Sequence, residues 1–563
     1  MSASAETFGS RKEREAERRS RFDFLAGLSI SREDIIWFSV IFFPALVGGW
    51  WLVYIAEIWV GDALSRVNQA YSVTSGRDAH LGAIGFIWPP LPSLLEIPLV
   101  VALGRFTPPI FAGQIVSAFF SALLAVVLNR TLRQIRVTPG WRISLVAFTM
   151  LNPLVVYSAI NGMTENIFLF FAVLATGELI RWQPGEQKGL LVAALCIGLG
   201  FLVRYEAVAF AAAGAIGLVV RTWSQPVRQD HLEAILTSFI APIAYCTGLW
   251  LMWNAIFAGD PLYFLTGTGS NTFYTAPIRA GADPALSPLY NNPIASLIWS
   301  TRRVIGLFPV FIPLLVIAGV RSTWKRDRVT IMLVGMAAVG SVFAWFQIFR
   351  GQLLPMYRFW IYPVAFMPLL VAIIARDYLP GTRTRIYALG TGALLISIGA
   401  TLFTMSSGSG GADEQQFASA IASGNPRNLT RQVDTEYDKQ RTTAAILNEL
   451  HSSRPDSSVL IDGLLDWSVQ LFVADQDRLV TDRNRDHSEI LREPVDRVNY
   501  ILIRDPSESL PSPLLIRFPT LYRDGAPWAS FVTEVPGANV RLFRVLSTAE
   551  QRQGVRPTPP PRS

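Results

Sequence analysis

The sequence has little charge, cysteine or histidine, and each shortage excludes a class of protein. Charged residues are only 16% of the 563 residues, hydrophobic residues are 51%, and the mean hydropathy is +0.34, which excludes an ordinary soluble chain. The two cysteines, Cys196 and Cys246, fall inside apolar stretches, so neither a disulfide framework nor a thiolate metal site is expected. The sequence also lacks the glycine loops of P-loop and dinucleotide-binding proteins, and no His, Cys and carboxylate group has metal-binding spacing.

Long apolar runs fill the first part of the chain instead. Runs of about 17–25 residues, enough to cross a bilayer, recur between residues 35 and 402. The predicted spans are 35–59, 108–129, 142–158, 166–180, 189–203, 206–220, 233–255, 303–320, 329–348, 359–375 and 386–404. We therefore expect a polytopic α-helical membrane protein with about eleven transmembrane helices.

Basic residues are distributed unevenly between the two sides of these spans. We interpret residues 1–34, with the charge run Arg11 to Arg21, as a cytoplasmic tail before an uncleaved first span. Loops on that same side then carry most of the Lys and Arg, as the positive-inside rule requires. This topology requires 91–104, a short stretch interrupted by prolines, to lie in the outer interface as a helix. The C-terminal part is then extracytoplasmic.

The sequence becomes polar after residue 405. We divide it into a linker at 406–441, a soluble domain at 442–550 and a disordered proline-rich tail at 551–563. Strand-like runs at 458–462, 478–481 and 498–503 alternate with helical patterns near 467–474 and 487–492, followed by a possible hairpin at 532–543. This alternation predicts a small α/β domain. Asp462 and Asp466 at a strand end are either structural loop acids or a site.

Unusual polar residues gather on the predicted outer face of the membrane part. They are Asp62, His80, Asn161, Glu165, Arg204, Tyr205, Glu206, Tyr357 and Arg358. Charges near bilayer depth are costly, so they are usually paired, functional or both.

Each of these charges also has an ordinary structural explanation. Asp62 is suited to cap a helix over 63–71, and Glu165 to start a helix as an acid in its first turn. Arg204 and Glu206 can pair with each other, and Arg358 can extend to a lipid phosphate. A lone loop histidine such as His80 is usually solvated. The convergence of acids and arginines on one face favours the functional interpretation.

Short motifs on this face carry a family resemblance. They are Asp62 after the first span, Trp88-Pro89-Pro90-Leu91, Asn152-Pro153, Thr164-Glu165-Asn166, Arg204-Tyr205-Glu206, Gly259-Asp260-Pro261 and Tyr357-Arg358-Phe359. Over about residues 35–405 the chain resembles the GT-C superfamily of membrane glycosyltransferases, especially its protein O-mannosyltransferase and aminoarabinose-transferase branch. The mannosyltransferases tend to carry an acid and a His before the Pro-Pro, where this chain has Ile87-Trp88.

The resemblance implies transfer of a sugar, a mannose-like hexose, from a polyprenyl phosphate to an unidentified acceptor at the extracytoplasmic face, with inversion at the anomeric carbon. It implies Asp62 as the base and Glu165 as the group that orients sugar or acceptor hydroxyls. Arg204 and Arg358 are suited to hold the lipid phosphate. The remaining residues of the outer face are expected in the same substrate site: Tyr205, Glu206, Tyr357, His80 and Asn161. No metal cofactor is required by this chemistry, and no nucleic-acid partner is expected.

Two other functions fit a polytopic chain. A transporter or lipid flippase usually has repeated halves and polar residues at mid-bilayer, and neither pattern is evident in the sequence. A non-catalytic anchor for the outer domain needs no shared geometry, and it would be favoured by a separation of Asp62 from Glu165 and Arg358 above about 15 Å, beyond the reach of one site. The aromatic outer loop 257–293 either holds a sugar or forms part of an interfacial aromatic belt.

Overall fold

A computed structural model describes residues 30–104, 109–183, 186–223, 229–407, 410–424, 431–507 and 512–561. The predicted cytoplasmic tail lies almost entirely outside these ranges. The helices of the first part are α1 (Arg32–Tyr54), α2 (Gly61–Ser75), α3 (Leu91–Leu103), α4 (Ala112–Gln134), α5 (Pro139–Met150), α6 (Pro153–Ile160), α7 (Glu165–Arg181), α8 (Gln187–Phe201), α9 (Ala207–Thr222), α10 (Gln229–Ala258), α11 (Tyr263–Thr266), α12 (Asn271–Arg279), α13 (Pro293–Leu307), α14 (Phe311–Lys325), α15 (Arg328–Phe349), α16 (Tyr362–Ala375) and α17 (Pro380–Ser406).

The second part contains a small sheet. Its elements are α18 (Ala412–Ser423), α19 (Arg431–Ser453), β1 (Val459–Leu460), α20 (Trp467–Phe472), β2 (Leu479–Val480), α21 (His487–Arg492), β3 (Tyr500–Arg504), α22 (Pro513–Arg517), α23 (Leu521–Asp524), β4 (Ala529–Val535), β5 (Val540–Val545) and α24 (Thr548–Arg552). Short 3₁₀ helices occupy Leu81–Ile84, Pro109–Phe111, Ser287–Leu289, Tyr357–Trp360 and Gln476–Arg478. The predicted fold class, a polytopic helical protein with a small C-terminal α/β domain, is confirmed.

The first apolar helix is fixed by its N-terminal residues. Ser31 and Asp34 form a capping box: the Ser31 hydroxyl accepts from the Asp34 amide at 3.2 Å, and the Asp34 carboxylate accepts from the Ser31 amide at 2.9 Å. The same carboxylate is 2.9 Å from Nη2 of Arg130 on α4. One acid therefore both begins α1 and joins it to α4, against which α1 packs.

Helix α16 forms the centre of the membrane part. Every residue from Tyr362 to Ala375 is buried, and the helix packs against α15 and α17. A helix that is apolar on all sides is expected to be surrounded by other helices. Gly340 of α15 allows the close approach, because a methyl group at this glycine would overlap the ring of Tyr362.

Two predicted straight spans are bent, which corrects the predictions for 142–158 and 303–320. Helices α5 and α6 meet at 66°, where Asn152 caps α6 by accepting from the Leu154 amide at 3.1 Å and Pro153 has no amide hydrogen to continue α5. Helices α13 and α14 meet at 103°. Within the described residues, six helices are long and apolar enough to cross a membrane, or up to eight if each bent pair is one span. The number of about eleven spans stays a prediction.

Helix α3 follows the Trp-Pro-Pro turn and has 13 residues. At 1.5 Å per residue it is about 20 Å long, shorter than the apolar core of a bilayer. It packs against α2 and α4. Its length agrees with the predicted interfacial position.

The soluble domain is built on a five-stranded sheet in the order β2-β1-β3-β5-β4. Strands β2, β1 and β3 are parallel, and β5 is antiparallel to both β3 and β4. Successive residues of β3 enter two different apolar clusters: Leu502 joins one, and Ile501 and Ile503 join the other. This alternation places helices against both faces of the sheet.

The range predicted as a linker, 406–441, contains α18 and the first part of α19. The range predicted as a disordered tail also has contacts. The Phe531 amide donates to the Thr558 carbonyl at 2.8 Å, and the Thr558 amide donates to the Ser530 hydroxyl at 3.0 Å. The tail therefore extends along the edge strand β4, which otherwise offers unpaired backbone groups.

Candidate active site

Asp62 lies in the first turn of α2, just after the first apolar helix. The N-cap is Val60, with extended backbone, so the interpretation of Asp62 as an N-cap is wrong. Its Oδ2 atom is instead 2.5 Å from Nη2 of Arg358. These two residues are 296 positions apart in sequence, so tertiary folding brings them together.

Glu165 is the first residue of α7 and lies between two arginines. Its Oε1 atom is 2.6 Å from Nη1 of Arg204 and 3.9 Å from Nε of Arg358. The side chain is 1% exposed, and Oε2 has no hydrogen bond within the described residues. Glu165 therefore starts a helix, as the structural explanation proposed, but its carboxylate is also shared by two cations.

Arg204 joins Glu165 to Glu206. Its Nη2 atom is 2.8 Å from Oε1 of Glu206, and the Tyr362 hydroxyl donates to that same oxygen at 2.9 Å. Arg204 and Glu206 do pair with each other, but each has a second partner as well. Two acids thus pair with one buried guanidinium, and a phenol hydroxyl donates to one of these acids.

Asp62, Arg358, Glu165, Arg204 and Glu206 form a continuous series of contacts, which we call the charged network. The links are 2.5, 3.9, 2.6 and 2.8 Å in that order. A separation above about 15 Å, too long for one site, would have favoured the anchor hypothesis, and these distances do not show it. Sequence reasoning chose all five residues of the network.

Arg66, which sequence reasoning missed, lies beside the network. It follows Asp62 by one helical turn, and its Nη1 atom donates to the Asp62 carbonyl at 3.2 Å. Nη1 of Arg66 and Nη1 of Arg358 approach the same Met163 sulfur, at 3.7 and 3.8 Å. Arg66 is buried, its guanidinium is 4.8 Å above the Trp88 ring, and no ion pair involves it in the described part of the chain. The i, i+4 spacing from Asp62 was the available signal.

The Trp-Pro-Pro turn is held in place by the residues around Arg204. The Tyr205 hydroxyl donates to the Ile87 carbonyl at 2.7 Å, and the Leu91 amide donates to the Leu202 carbonyl at 2.9 Å. The Tyr205 ring also stacks on Phe264, with 4.6 Å between centroids. Tyr205 therefore fixes the turn, and within the described residues no hydrogen bond joins it to the acids of the network.

The three remaining predicted site residues have different positions. His80 Nδ1 is 2.6 Å from the Asp78 carbonyl oxygen, and no hydrogen bond or ion pair joins His80 to the charged network within the described residues. Asn161 accepts from the Met163 amide at 2.9 Å and so positions the sulfur that both arginines approach. The ring of Tyr357 lies 4.5 Å from the guanidinium of Arg303. The structure brings Asn161 and Tyr357 to the edge of the site and leaves His80 outside it.

Two acids of α18 also reach this region, and sequence reasoning missed both. The Glu414 carboxylate accepts from the Tyr357 and Arg358 amides, each at 2.8 Å. Burial raises the pKa of Asp413; the positive charge of Arg358 opposes the rise and the negative charge of Asp62 adds to it. Asp413 thus lies within electrostatic reach of the Asp62–Arg358 pair.

The aromatic outer loop lies between the network and the soluble domain. Burial, together with the charges of Asp62 and Asp462, raises the pKa of Tyr274 to about 12. A methyl group at Gly269 would be 3.2 Å from Cδ1 of Leu464.

The soluble domain packs directly on α2. A buried hydrogen bond of 3.0 Å joins Asn68 to Gln470, and Arg483 donates to the Ser72 hydroxyl at 2.9 Å. Leu64 and Leu471 belong to the same apolar cluster across the interface. The helix that carries Asp62 is therefore held between α3 and the soluble domain.

The acids at the end of β1 have structural partners. The Asp462 Oδ1 atom accepts from the Leu464 and Leu465 amides at 2.9 and 3.0 Å, and Asp466 is 2.7 Å from Nε of Arg504. Burial and the charge of Asp466 raise the pKa of Asp462 to about 6.

Comparisons with known proteins give a match at the level of structure. No family model matches the chain, and neither does any curated protein. The chain is similar to ArnT from Cupriavidus metallidurans bound to undecaprenyl phosphate, with 12% identity, 91% of this chain and 98% of that chain covered, and a TM-score of 0.51. For ArnT from the same organism in the apo state the values are 11%, 90%, 97% and 0.49. The first match shows that the chain has the fold of ArnT, and it supports the predicted architecture of a helical membrane part with a small C-terminal α/β domain.

Proposed function

We propose that this protein is an integral-membrane glycosyltransferase that transfers a sugar from a polyprenyl phosphate to an acceptor at the extracytoplasmic face. The observation that carries the proposal is the charged network, in which a base candidate and phosphate-binding cations are in direct contact. A shared fold with ArnT, whose structure contains undecaprenyl phosphate, supports the choice of donor. We further propose a mannose-like hexose as the transferred sugar.

The phosphate of the donor binds best between Arg358 and Arg66. Both guanidiniums approach the Met163 sulfur at 3.7–3.8 Å, and a thioether is a weak acceptor. A phosphate oxygen is a much stronger acceptor for guanidinium groups. Arg204, in contrast, already has carboxylate oxygens at 2.6 and 2.8 Å. Arg204 therefore orients Glu165 and Glu206, while Arg358 and Arg66 are the phosphate ligands.

Donor binding also prepares the base. In the structure Asp62 is paired with Arg358, and a phosphate that engages Arg358 weakens this pair. Asp62 then accepts the proton of the acceptor hydroxyl while the oxygen of that hydroxyl bonds to the anomeric carbon. The bond from that carbon to the phosphate oxygen breaks, and its electron pair leaves with polyprenyl phosphate. The unpaired Oε2 of Glu165 is available to orient sugar hydroxyls.

A lipid flippase is the second candidate. It uses the same phosphate-binding cations but needs no base, so Asp62 distinguishes the two functions. In proteoliposomes a flippase moves labelled lipid without transferring sugar, whereas a glycosyltransferase consumes the labelled donor.

The direct test compares sugar transfer by the wild type with Asp62→Asn in proteoliposomes that contain a polyprenyl-phosphate-linked hexose and a pool of envelope acceptors. Asn keeps the size of the side chain but cannot accept the proton, so we expect kcat to fall about 10²–10⁴-fold, as for loss of a general base. Asp505→Asn is the matched control. Asp505 of the soluble domain accepts from the Ser507 amide at 2.9 Å, and Asn retains that acceptor.

Full transfer activity in Asp62→Asn overturns the assignment of the base. Lipid movement without any transfer in the wild type overturns the glycosyltransferase proposal and favours the flippase.

A further inference from the structure

Glu414 makes an unusual set of contacts with the segment that carries Arg358. Its Oε2 atom accepts from the Tyr357 amide at 2.8 Å and from the Gly411 amide at 3.1 Å, and its Oε1 atom accepts from the Arg358 amide at 2.8 Å. The side chain is 3% exposed. Both carboxylate oxygens are therefore committed to backbone donors, two of which belong to the segment 357–360.

These two donors need such a partner. Tyr357 and Arg358 are the first residues of a 3₁₀ helix, and the first amides of a helix have no acceptor within it. A buried amide without a partner is costly, so the carboxylate fixes the backbone at this point. The Gly411 bond in turn satisfies the N-cap amide at the start of α18, which is the half of a capping box that the N3 side chain supplies. One side chain thus begins two helices.

The contact between Glu414 and this segment affects the charged network through Arg358. Its backbone amide is held by Glu414, while its side chain is 2.5 Å from Asp62 and 3.8 Å from the Met163 sulfur. A long side chain keeps one position only when its backbone is fixed. Helix α18, which follows the last long apolar helix, therefore fixes the backbone of Arg358. The guanidinium at the other end of this side chain is the proposed phosphate ligand.

We propose that Glu414 is a positioning residue for the phosphate-binding Arg358 and that it links α18 to the active site. This inference rests on the proposed function, since it takes Arg358 as a ligand of the donor phosphate. Glu414 itself touches neither donor nor acceptor.

The glutamine substitution isolates this role. In Glu414→Gln the side chain keeps its volume, but one of its two oxygens becomes an NH₂ group, which faces a backbone N–H donor. At least one of the three hydrogen bonds from backbone amides is then replaced by repulsion between two N–H groups. Hydrogen bonds to charged groups contribute enough that we expect the Kd for undecaprenyl phosphate to rise about 10- to 100-fold.

The experiment measures undecaprenyl phosphate binding to the full chain in nanodiscs. The variants are Glu414→Gln, Arg358→Lys and the double variant. If Glu414 acts through Arg358, the double variant binds no more weakly than Arg358→Lys alone, because the two effects are not additive. A merely structural role lowers the active fraction of the protein and gives additive losses instead. The matched control is Glu550→Gln, since Glu550 also closes a capping box, by accepting from the Ser547 amide at 2.9 Å in the soluble domain.

A second measurement needs no variant. In the wild type, hydrogen exchange at the Tyr357 and Arg358 amides is expected to be slow, and slower still with undecaprenyl phosphate bound, because linkage between two sites is reciprocal. Unprotected amides at both positions overturn the proposal, even if Glu414→Gln does not fold.

The outcomes separate this inference from the proposed function. If Arg358→Lys weakens binding and Glu414→Gln does not, the positioning role is wrong and the donor site stands. If neither the wild type nor Arg358→Lys binds the lipid, the proposed function fails.

Discussion

At the scale of single residues, the site is an arrangement of buried and half-buried charges that balance one another. Glu165 and Glu206 share Arg204, and Asp62 is paired with Arg358. Removing one partner of such a pair leaves an uncompensated buried charge and typically costs about 3–5 kcal/mol. Substitutions that test function must therefore keep size and polarity, as Asp→Asn and Glu→Gln do.

Asp462 of the soluble domain gives a prediction about pH. Its pKa is raised from the ordinary value of 3.8 to about 6, mainly by burial. The stability that it contributes is thus complete below pH 3.8 and is lost as pH rises through 6. The variant Asp462→Asn keeps the oxygen that accepts from the Leu464 and Leu465 amides. We expect it to reduce the fall in the free energy of unfolding as pH rises. At pH 7 it should stabilise the domain by up to about 3 kcal/mol.

The measurement is the pH dependence of the free energy of unfolding in the full chain. It is monitored through hydrogen exchange of the amides in β1 and β3. Asp496 is a control of opposite sign, because hydrogen bonds from Thr548 lower its pKa. An unchanged slope between pH 4 and 6 in Asp462→Asn would show that Asp462 is not the responsible group.

Sequence reasoning found the acids and arginines of the network because charges are rare in this chain and therefore conspicuous. It missed Tyr362, whose hydroxyl bonds to Glu206, because a tyrosine at the start of an apolar helix looks like an ordinary interfacial residue. It missed Glu414 because an acid in a polar segment carries no signal of its own. It included His80, which hydrogen-bonds locally to Asp78.

At the scale of elements, the contact between α15 and α16 should be sensitive to one methyl group. A Cβ atom at Gly340 would overlap the Tyr362 ring, which packs beside it. We expect Gly340→Ala to destabilise the protein by about 1–3 kcal/mol, as overpacking of a core does. Because Tyr362 donates to Glu206, sugar transfer should also fall.

Gly335→Ala on the same helix is the matched control, since a Cβ atom there has no neighbour within 4 Å. It should be neutral, or stabilise by a fraction of the roughly 1 kcal/mol that separates glycine from alanine in helices. Thermal unfolding in detergent measures both variants, and equal stability of the two would contradict the packing argument.

The extent of the helices could be predicted from sequence, but their bends could not. Apolar composition is the same for a straight span and for a bent pair, so it gave 303–320 as one helix where α13 and α14 meet at 103°. The bend at Asn152-Pro153 had a local signal in a capping residue followed by proline, yet proline alone is also compatible with a kinked continuous helix.

At the scale of the whole molecule, the soluble domain is part of the structure that holds the site. Asn68 of α2 and Gln470 of α20 form a buried hydrogen bond although 402 residues separate them. Sequence patterns gave the presence of an α/β domain, because its strands and helices have local periodicity. They gave no sign of where it docks, since that depends on the complementarity of two surfaces formed only after folding.

A fold shared with ArnT does not by itself identify a substrate, because one fold hosts many chemistries. The proposed phosphate site is defined by the position of Arg358 and Arg66 beside Asp62.

The measurement that tests this account most directly is a cryo-EM structure of the protein with undecaprenyl phosphate. We predict phosphate density within about 3 Å, hydrogen-bond distance, of the guanidiniums of Arg358 and Arg66, in place of the Met163 sulfur. We also predict that the Asp62–Arg358 contact, 2.5 Å in the present structure, lengthens. Phosphate density elsewhere, with the charged network unchanged, would contradict the assignment of this site.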